Sequence, residues 1–440
     1  MRPVAVRAFS TVSAAGVGQA ALLAALRDGR TRLGPHANAN ASSEPALTTP
    51  LTTPLTTPLT TPLVTHVGRV AALDDEATSA PDSSASASPS AVLPPQLAER
   101  WDARATRLTW LGLHADDFAA QARSAVARHG AARVGLALGT SASTIGVTEA
   151  AYRQLARDGG FPPAMRHARL NTPHALAMFA AEVLGIAGPA VTVSTACSSS
   201  AKVFALAERW LRLGLVDAVV AGGIDALGAS LLWGFAALGL LSAQPCRPFD
   251  RRRDATSASA KRPASRCSNA TRKARRWRQP RAAALPLRLI GHGEASDAFH
   301  MSSPHPEGLG ARLALDAALA RAGVAGDAVD YVNLHGTASA KNDEVEAVLV
   351  ARRYGPRTLA SATKGLTGHA MGAAGMLEAA VCLLALQHAL VPGTTGCEEP
   401  DPACDARLVL APRAHAVRIA ASHSFGFGGS NAVLVFGAAA

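Results

Sequence analysis

Residues Val191 to Trp210 read VTVSTACSSSAKVFALAERW, and this stretch decides the fold. Valines alternating toward Thr195 predict a strand over 191–195. Small polar residues then make a tight turn. Beyond it Val203, Ala207, Trp210 and Leu211 fall at three- and four-residue spacing, which predicts a helix with one buried face, closed by Gly214. A strand running through a small-residue turn into a helix is the unit of an α/β protein. It also puts Cys197 at or beside the helix N-terminus, where unsatisfied N–H groups and the helix dipole favour thiolate over thiol. Spacing alone leaves two readings open, a nucleophile or the small buried hydrophobe that a lone cysteine commonly is. Ala196 and Ser198 to Ser200 leave room for a substrate beside the sulfur.

The same pattern extends outward. Short Val/Ile/Ala runs predict strands at Val134–Leu138, Ala218–Ala221, Tyr331–Leu334, Ala416–Ala421 and Ala432–Phe436, with apolar helices between them. The C-terminal part repeats the strand, turn, helix, strand theme of residues 130 to 225, which points to an internal duplication. With 440 residues, 48% hydrophobic and 17% charged, the chain is long enough for two ordinary domains or one large duplicated one. No 18-residue window lacks charged or strongly polar residues, so no membrane span is expected. Near the start, Ser10, Thr11, Ser13 and Gln19 interrupt any signal-peptide core. The six cysteines show no CxxC or disulfide-framework spacing, and the expected location is the cytoplasm.

A net charge of +11 ordinarily directs attention to nucleic acid or an anionic surface. Here the charge has one source: Arg251 to Arg281 carry 12 Lys or Arg against a single acid, Asp254, and the rest of the chain is neutral. That segment has no strand alternation and one aromatic, Trp277, so nucleic-acid binding through it is a rival reading rather than the main one. A second unusual stretch lies between residues 34 and 97. Four tandem LTTP units span Leu47 to Pro62 and a Ser/Ala/Pro-rich run follows; such a composition cannot offset its ordering entropy, so a surface insertion is expected.

Three further segments carry chemistry. In YVNLHGTASAKNDEVEA (331–347), His335 ends an apolar strand and projects into a loop, the usual place for a site. In SATKGLTGHAMGAAGMLEAA (361–380), Lys364 and His369 occupy a Gly-rich turn before a helix of small residues. This is not a phosphate-binding GxxxxGK[ST] loop, and neither histidine belongs to a local metal pair, so no metal is expected. In SHSFGFGGSNAVLVFG (422–437), glycines flank Phe427 and allow main-chain N–H groups to approach a ligand closely, as an oxyanion site requires. One Cys, two His and a Lys on separate loops describe a nucleophile with cationic or hydrogen-bonding partners. Two structural histidines are the plainer alternative.

Together TACSSS, HGTAS, KGLTGHAMGAAG and SFGFGGSN resemble the decarboxylating β-ketoacyl-acyl-carrier-protein synthases, ketosynthases I and II of the thiolase superfamily. The resemblance covers residues 1–33, about 100–250 and 285–440. It implies an α/β thiolase-like fold with duplicated βαβαβαββ halves, residues 1–284 and 285–440, in a five-layer αβαβα sandwich. The implied reaction is decarboxylative Claisen condensation of a Cys-bound acyl group with malonyl-acyl-carrier protein in fatty-acid or polyketide-type biosynthesis. Cys197 is then the acylated residue, and His335 and His369 bind the malonyl thioester carbonyl and stabilise its enolate. Lys364 holds the site's electrostatics, with Glu378 in support. Phe427 and the adjacent Gly428 belong to the gating turn, and the N–H groups of Phe427 and Cys197 form the oxyanion hole. Thr337 and Ser339 match positions that contact the phosphopantetheine arm, Ser339 replacing a common Thr. Asp297 and His300, in SDAFHMSSP (296–304), line the region near a dimer interface. No bound cofactor is implied, because substrates arrive on the phosphopantetheine of acyl carrier protein. The implied assembly is a homodimer, or a heterodimer with another ketosynthase-like chain. A non-catalytic scaffold is the alternative from another functional class.

One departure stands out. After PFDRRRD (248–254) the family continues with a turn of the type DGxxxGEGAG and an apolar strand, where this chain has its basic segment. Back-translated with GC-rich codons and read two bases later, the stretch beginning at Ser259 encodes GEAAGFAL. The expectation is a compensated frameshift that begins near Asp254 and is restored before Leu289. Replacing an apolar core hairpin by about a dozen cations removes packing and adds charges too costly to bury. Folding and activity are then both at risk.

Overall fold

The structure, a computed structural model, describes residues 1–37, 64–74, 90–166, 168–253, 286–404 and 407–438. Most of the basic segment, residues 254–281, and the LTTP units lie outside the described residues.

Two sheets are built from nine strands: β1 (Val4–Ala5), β2 (Val134–Gly139), β3 (Ala190–Val193), β4 (Ala218–Gly223), β5 (Leu287–Ser296), β6 (Tyr331–Asn333), β7 (Leu359–Ser361), β8 (Ile419–Gly426) and β9 (Ser430–Ala438). The larger has the order β1-β5-β9-β8-β6-β7, with β8, β6 and β7 parallel and the remaining pairs antiparallel. The smaller is β3-β2-β4, all parallel. Parallel strands require crossovers and bury both faces, and β2 is buried at every position.

Four helices set the layers: α1 (Ser199–Arg212), α2 (Leu309–Ala322), α3 (Ala340–Arg353) and α4 (Ala374–His388). α1 packs on β2 and β4, α4 packs on β8, β9 and β6, and the two helices touch each other between the sheets. Their sequences differ accordingly. α1 is amphipathic, with Val203, Ala207 and Trp210 buried and its arginines outside, whereas α4 (AGMLEAAVCLLALQH) is apolar almost all round. Met371–His388 is long and apolar enough to cross a membrane, but 72% of it is buried in this central layer. α2 covers β5 and β9, and helices Arg104–His114, Phe118–His129 and Ala175–Leu184 cover the smaller sheet, which completes five layers.

The expected strands are present with shifted ends. β8 begins at Ile419 rather than Ala416 and runs past the expected end at Ala421 to Gly426, because Ser422, His423 and Ser424 are buried in the ladder. β5 went unrecognised: His292 and Glu294 interrupt its apolar pattern, and its place beside β9 makes it a strand. Within 34–97, Leu33–Ala37 pairs with Val64–Gly68, and Leu73, Ala91 and Leu93 are buried. The two halves also differ. The second contributes five strands; the first contributes β2, β3 and β4 to the smaller sheet, while β1 joins the edge of the larger one.

Close approach of β2 to α1 fixes the layer spacing. A Cβ at Gly139 would lie 2.4 Å from Ser200 N. Gly139→Val is therefore expected to cost about 3 kcal/mol or more through overpacking against backbone. Gly146→Ala, in a helix with nothing within 4 Å of the new methyl, should instead stabilise by roughly 0.5 kcal/mol. Urea melts of the two variants check the opposite signs.

Candidate active site

The turn before α1 is locked by its own side chains. Ala196 adopts φ 51°, a left-handed conformation that costs a non-glycine residue about 1–2 kcal/mol and turns the chain sharply just before Cys197. Ser199 Oγ accepts from Thr195 N at 2.8 Å and donates to Ala196 O at 2.6 Å, while Ser198 Oγ donates to Thr195 O at 2.9 Å. Ser200 Oγ accepts from Met376 N, tying the turn to α4. All three serines are fully buried, so they brace the turn and do not leave room for a substrate as their small size had implied.

Cys197 Sγ lies 3.0 Å from His369 Nε2 and also accepts from the Phe427 N–H. Backbone packing explains the second contact: a Cβ at Gly426 would lie 3.2 Å from Cys197 N, so glycine lets the end of β8 press against the cysteine turn. The sequence reading had placed a thiolate here. Burial instead pushes the thiol up to about 11, with Lys364 and the Phe427 N–H pulling the other way, so desolvation outweighs the helix terminus.

His335 and His369 stand nearly perpendicular, with ring centroids 5.6 Å apart. Lys364 Nζ donates to His335 O at 2.6 Å, lies 3.2 Å from His335 Nδ1, and pairs with Glu378 Oε1. An ammonium has no lone pair, so Nδ1 must accept and the neutral ring carries its proton on Nε2. Burial, then the charge of Lys364, holds both histidines well below the usual imidazole range. For His369, Nδ1 is buried with no partner among the described residues. A proton there would be an orphaned donor, the rarer vacancy, so this ring also carries its proton on Nε2, facing the sulfur. Burial pushes Glu378 up to about 7 against the pull of Lys364.

The structure thus brings together Cys197, His335, His369, Lys364, Glu378 and the Phe427–Gly428 turn, in which Gly428 has φ 74°. Thr337 and Ser339 follow His335 on one loop, their hydroxyls 3.0 Å apart. Asp297 is a brace: it accepts from Gly310 N and Asn431 Nδ2, and its N–H donates to Gly429 O, so it holds the turn after Phe427. His300 stays outside this cluster, on an exposed loop where its Nδ1 accepts from Ser302 N and Ser303 N.

Sequence reasoning missed the supporting carboxylates. Glu346 on α3 is fully buried and accepts from His335 N at 2.7 Å, Gly336 N at 2.8 Å and His423 Nδ1 at 2.9 Å. Tyr354 OH in turn meets His423 Nε2 at 2.8 Å. Asp225 accepts from Thr140 Oγ1, Ser141 N, Ala142 N and Gly372 N, joining the loop after β2 to the turn that carries His369. An acid one helical turn from Asn342 on a buried helix face was the available signal for Glu346.

Comparison with known proteins agrees with this arrangement. Residues 1–259 match the model of the beta-ketoacyl synthase N-terminal domain and residues 288–398 that of its C-terminal domain. The chain is 34% identical over 314 residues to nodulation protein E of Rhizobium meliloti, covering 70% of this chain and 76% of that protein. It is 31% identical over 319 residues to 3-oxoacyl-[acyl-carrier-protein] synthase 2 of Vibrio cholerae, with the same coverage. Among solved structures, a ketosynthase in complex with its chain length factor from Xenorhabdus doucetiae superposes with a TM-score of 0.76 at 29% identity, over 99% of this chain and 98% of that one. The chain belongs to the beta-ketoacyl synthase family and has its thiolase-like fold. It is a ketosynthase of the kind found in dissociated fatty-acid and polyketide systems, a class of acyl-transferring condensing enzymes.

A thiol held near 11 makes a testable statement. Alkylation of Cys197 by iodoacetamide should accelerate about tenfold per pH unit between pH 7 and 9, following the small thiolate fraction. A rate independent of pH over that range means a thiolate already formed. The readout is peptide mass spectrometry of the labelled cysteine.

Proposed function

We propose that the chain is a β-ketoacyl-[acyl-carrier-protein] synthase that condenses a Cys197-bound acyl group with malonyl-acyl-carrier protein. The observation that carries this reading is His369 Nε2 at 3.0 Å from the Cys197 sulfur, with the His335 ring 5.6 Å from that of His369 and its Nδ1 turned to Lys364.

In the first half-reaction Cys197 Sγ attacks the acyl thioester carbonyl. The Cys197 and Phe427 N–H groups receive the oxyanion; the phosphopantetheine thiolate leaves and takes up the thiol proton. In the second, the malonyl thioester carbonyl oxygen accepts from the two Nε2–H groups. The bond to the carboxylate breaks, CO2 departs, and the electron pair moves into an enolate held by those donors. Its carbon attacks the acyl carbonyl, giving the β-ketoacyl thioester, and the Cys197 sulfur leaves as thiolate and takes a proton from solvent water. No step needs a strong base, which suits histidines kept neutral by burial. Thr337 and Ser339 receive the phosphopantetheine arm, and Phe427, whose ring lies 5.8 Å from that of Phe235, gates the acyl side.

Acyl carrier protein is the proposed donor and acceptor. A second copy, or a ketosynthase-like partner, is proposed to pair along β3: among the described residues this strand is bonded to β2 alone, and Val191 on it is 37% exposed. The scaffold reading is the weaker one, because a non-catalytic chain has no use for this thiol and two fixed donors.

The two half-reactions separate by mutation. His335→Ala should still form an acyl adduct with a short acyl-acyl-carrier protein but lose malonyl condensation by about 100-fold or more, since only the enolate loses a donor. Cys197→Ser should form no stable thioester adduct. Intact-protein mass spectrometry and a 14CO2-release assay read the two steps, and loss of both in His335→Ala contradicts the assignment.

A further inference from the structure

In SHSFGFGG the proposed reaction leaves a histidine unused. His423 is fully buried on β8, on the same face as Ala421 and Phe425 and opposite Val433 of β9. Ala421, Val433 and Tyr354 belong to one apolar cluster there, so an imidazole among them needs partners for both ring nitrogens. It has them: Nδ1 lies 2.9 Å from Glu346 Oε1 of α3, and Nε2 lies 2.8 Å from the hydroxyl of Tyr354, the residue that ends α3.

These partners settle where the proton sits. Both Glu346 oxygens already accept main-chain N–H groups, His335 N at Oε1 and Gly336 N at Oε2, so the carboxylate is an acceptor and His423 Nδ1 donates to it. Burial holds the Tyr354 phenol well above its usual range, so it keeps its proton and needs an acceptor. Nε2 is that acceptor; an imidazolium would leave the O–H with none among the described residues. The chain of donors therefore runs from Tyr354 to His423 to Glu346, and His423 carries the opposite tautomer to His335.

We propose that His423, oriented by Tyr354, is a positioning residue for His335 in the reaction proposed above, on which this inference rests. Lys364 grips the His335 carbonyl and Nδ1, while Glu346 grips its N–H. Asn342 Nδ2 reaches Glu346 Oε2 only at 3.4 Å, so His423 is the close side-chain donor that fixes the carboxylate plane. A second link is apolar: the Phe425 ring lies 5.3 Å from that of His423 and 5.8 Å from that of His335. Cys197 and His369 have no contact with Glu346, so an error in its plane reaches the enolate donor and spares the nucleophile.

The test compares His423→Leu, which removes donor and acceptor, with His423→Asn, whose Nδ2 can stand where Nδ1 stands and donate to Glu346, each in the full chain. In His423→Leu, 14CO2 release from malonyl-acyl-carrier protein should fall about 10- to 100-fold in kcat with KM little changed, while a short acyl group still loads Cys197. His423→Asn should recover to within about threefold of the unsubstituted chain. Equal loss of loading and decarboxylation, or no difference between the Leu and Asn chains, overturns the proposal. Histidine-selective 15N NMR gives an arm that needs no substrate: His423 should be protonated on Nδ1, and the His335 signals should shift in His423→Leu and return in His423→Asn. Tyr354→Phe, which keeps the ring packing and serves if His423→Leu does not fold, should let His423 exchange between tautomers. A His423 proton on Nε2, His335 signals indifferent to His423→Leu, or a tautomer unchanged in Tyr354→Phe overturns the proposal. The expected NMR pattern in a chain that releases no CO2 refutes the proposed reaction alone.

Discussion

Lys364 Nζ is the group on which the site depends. A buried ammonium is stable only if it is paired and its donors are used, and its three contacts are Glu378 from the central helix α4, His335 Nδ1 and the His335 carbonyl. Those contacts join β6, the turn after β7 and α4 at one point, and they fix which nitrogen of His335 carries its proton. The charge of Lys364 also lowers the cost of a thiolate on Cys197, against Glu378 and Asp225, and adds to burial in keeping imidazolium unfavourable at both histidines. One charge thus acts on the sulfur and on both imidazoles, the groups that the proposed reaction uses as nucleophile and as hydrogen-bond donors.

The remainder of the fold brings this point to Cys197. The positive φ of Ala196, the serine braces of the turn and the Gly426 approach set the sulfur against the Phe427 N–H and His369. Glu346 and Asp225 act further out. Each collects several N–H or O–H donors from separate segments, so one buried carboxylate ties those segments together.

Much of this was legible in the sequence because local rules agreed with tertiary ones. The strand, turn and helix around Cys197, the strand that ends at His335 and the small-residue turn carrying Lys364 and His369 each have periodicities that tertiary packing preserves. Other features were set by distant partners. β5 is a strand because β9 lies beside it, although its own residues alternate poorly. The serines after Cys197 were read as empty space and serve as braces, since their partners, Thr195 N, Ala196 O and Met376 N, are chosen by the fold. The thiolate expectation failed for the same reason: helix position is visible in sequence, but the burial that overrides it is not.

Histidine-selective 15N NMR at pH 7 tests the central claim most directly, with His335 assigned by loss of its signals in His335→Asn. Lys364 as the fixed donor predicts a neutral His335 ring with its proton on Nε2, still neutral where a free imidazole has become protonated. A proton on Nδ1, or an imidazolium at pH 7, contradicts it.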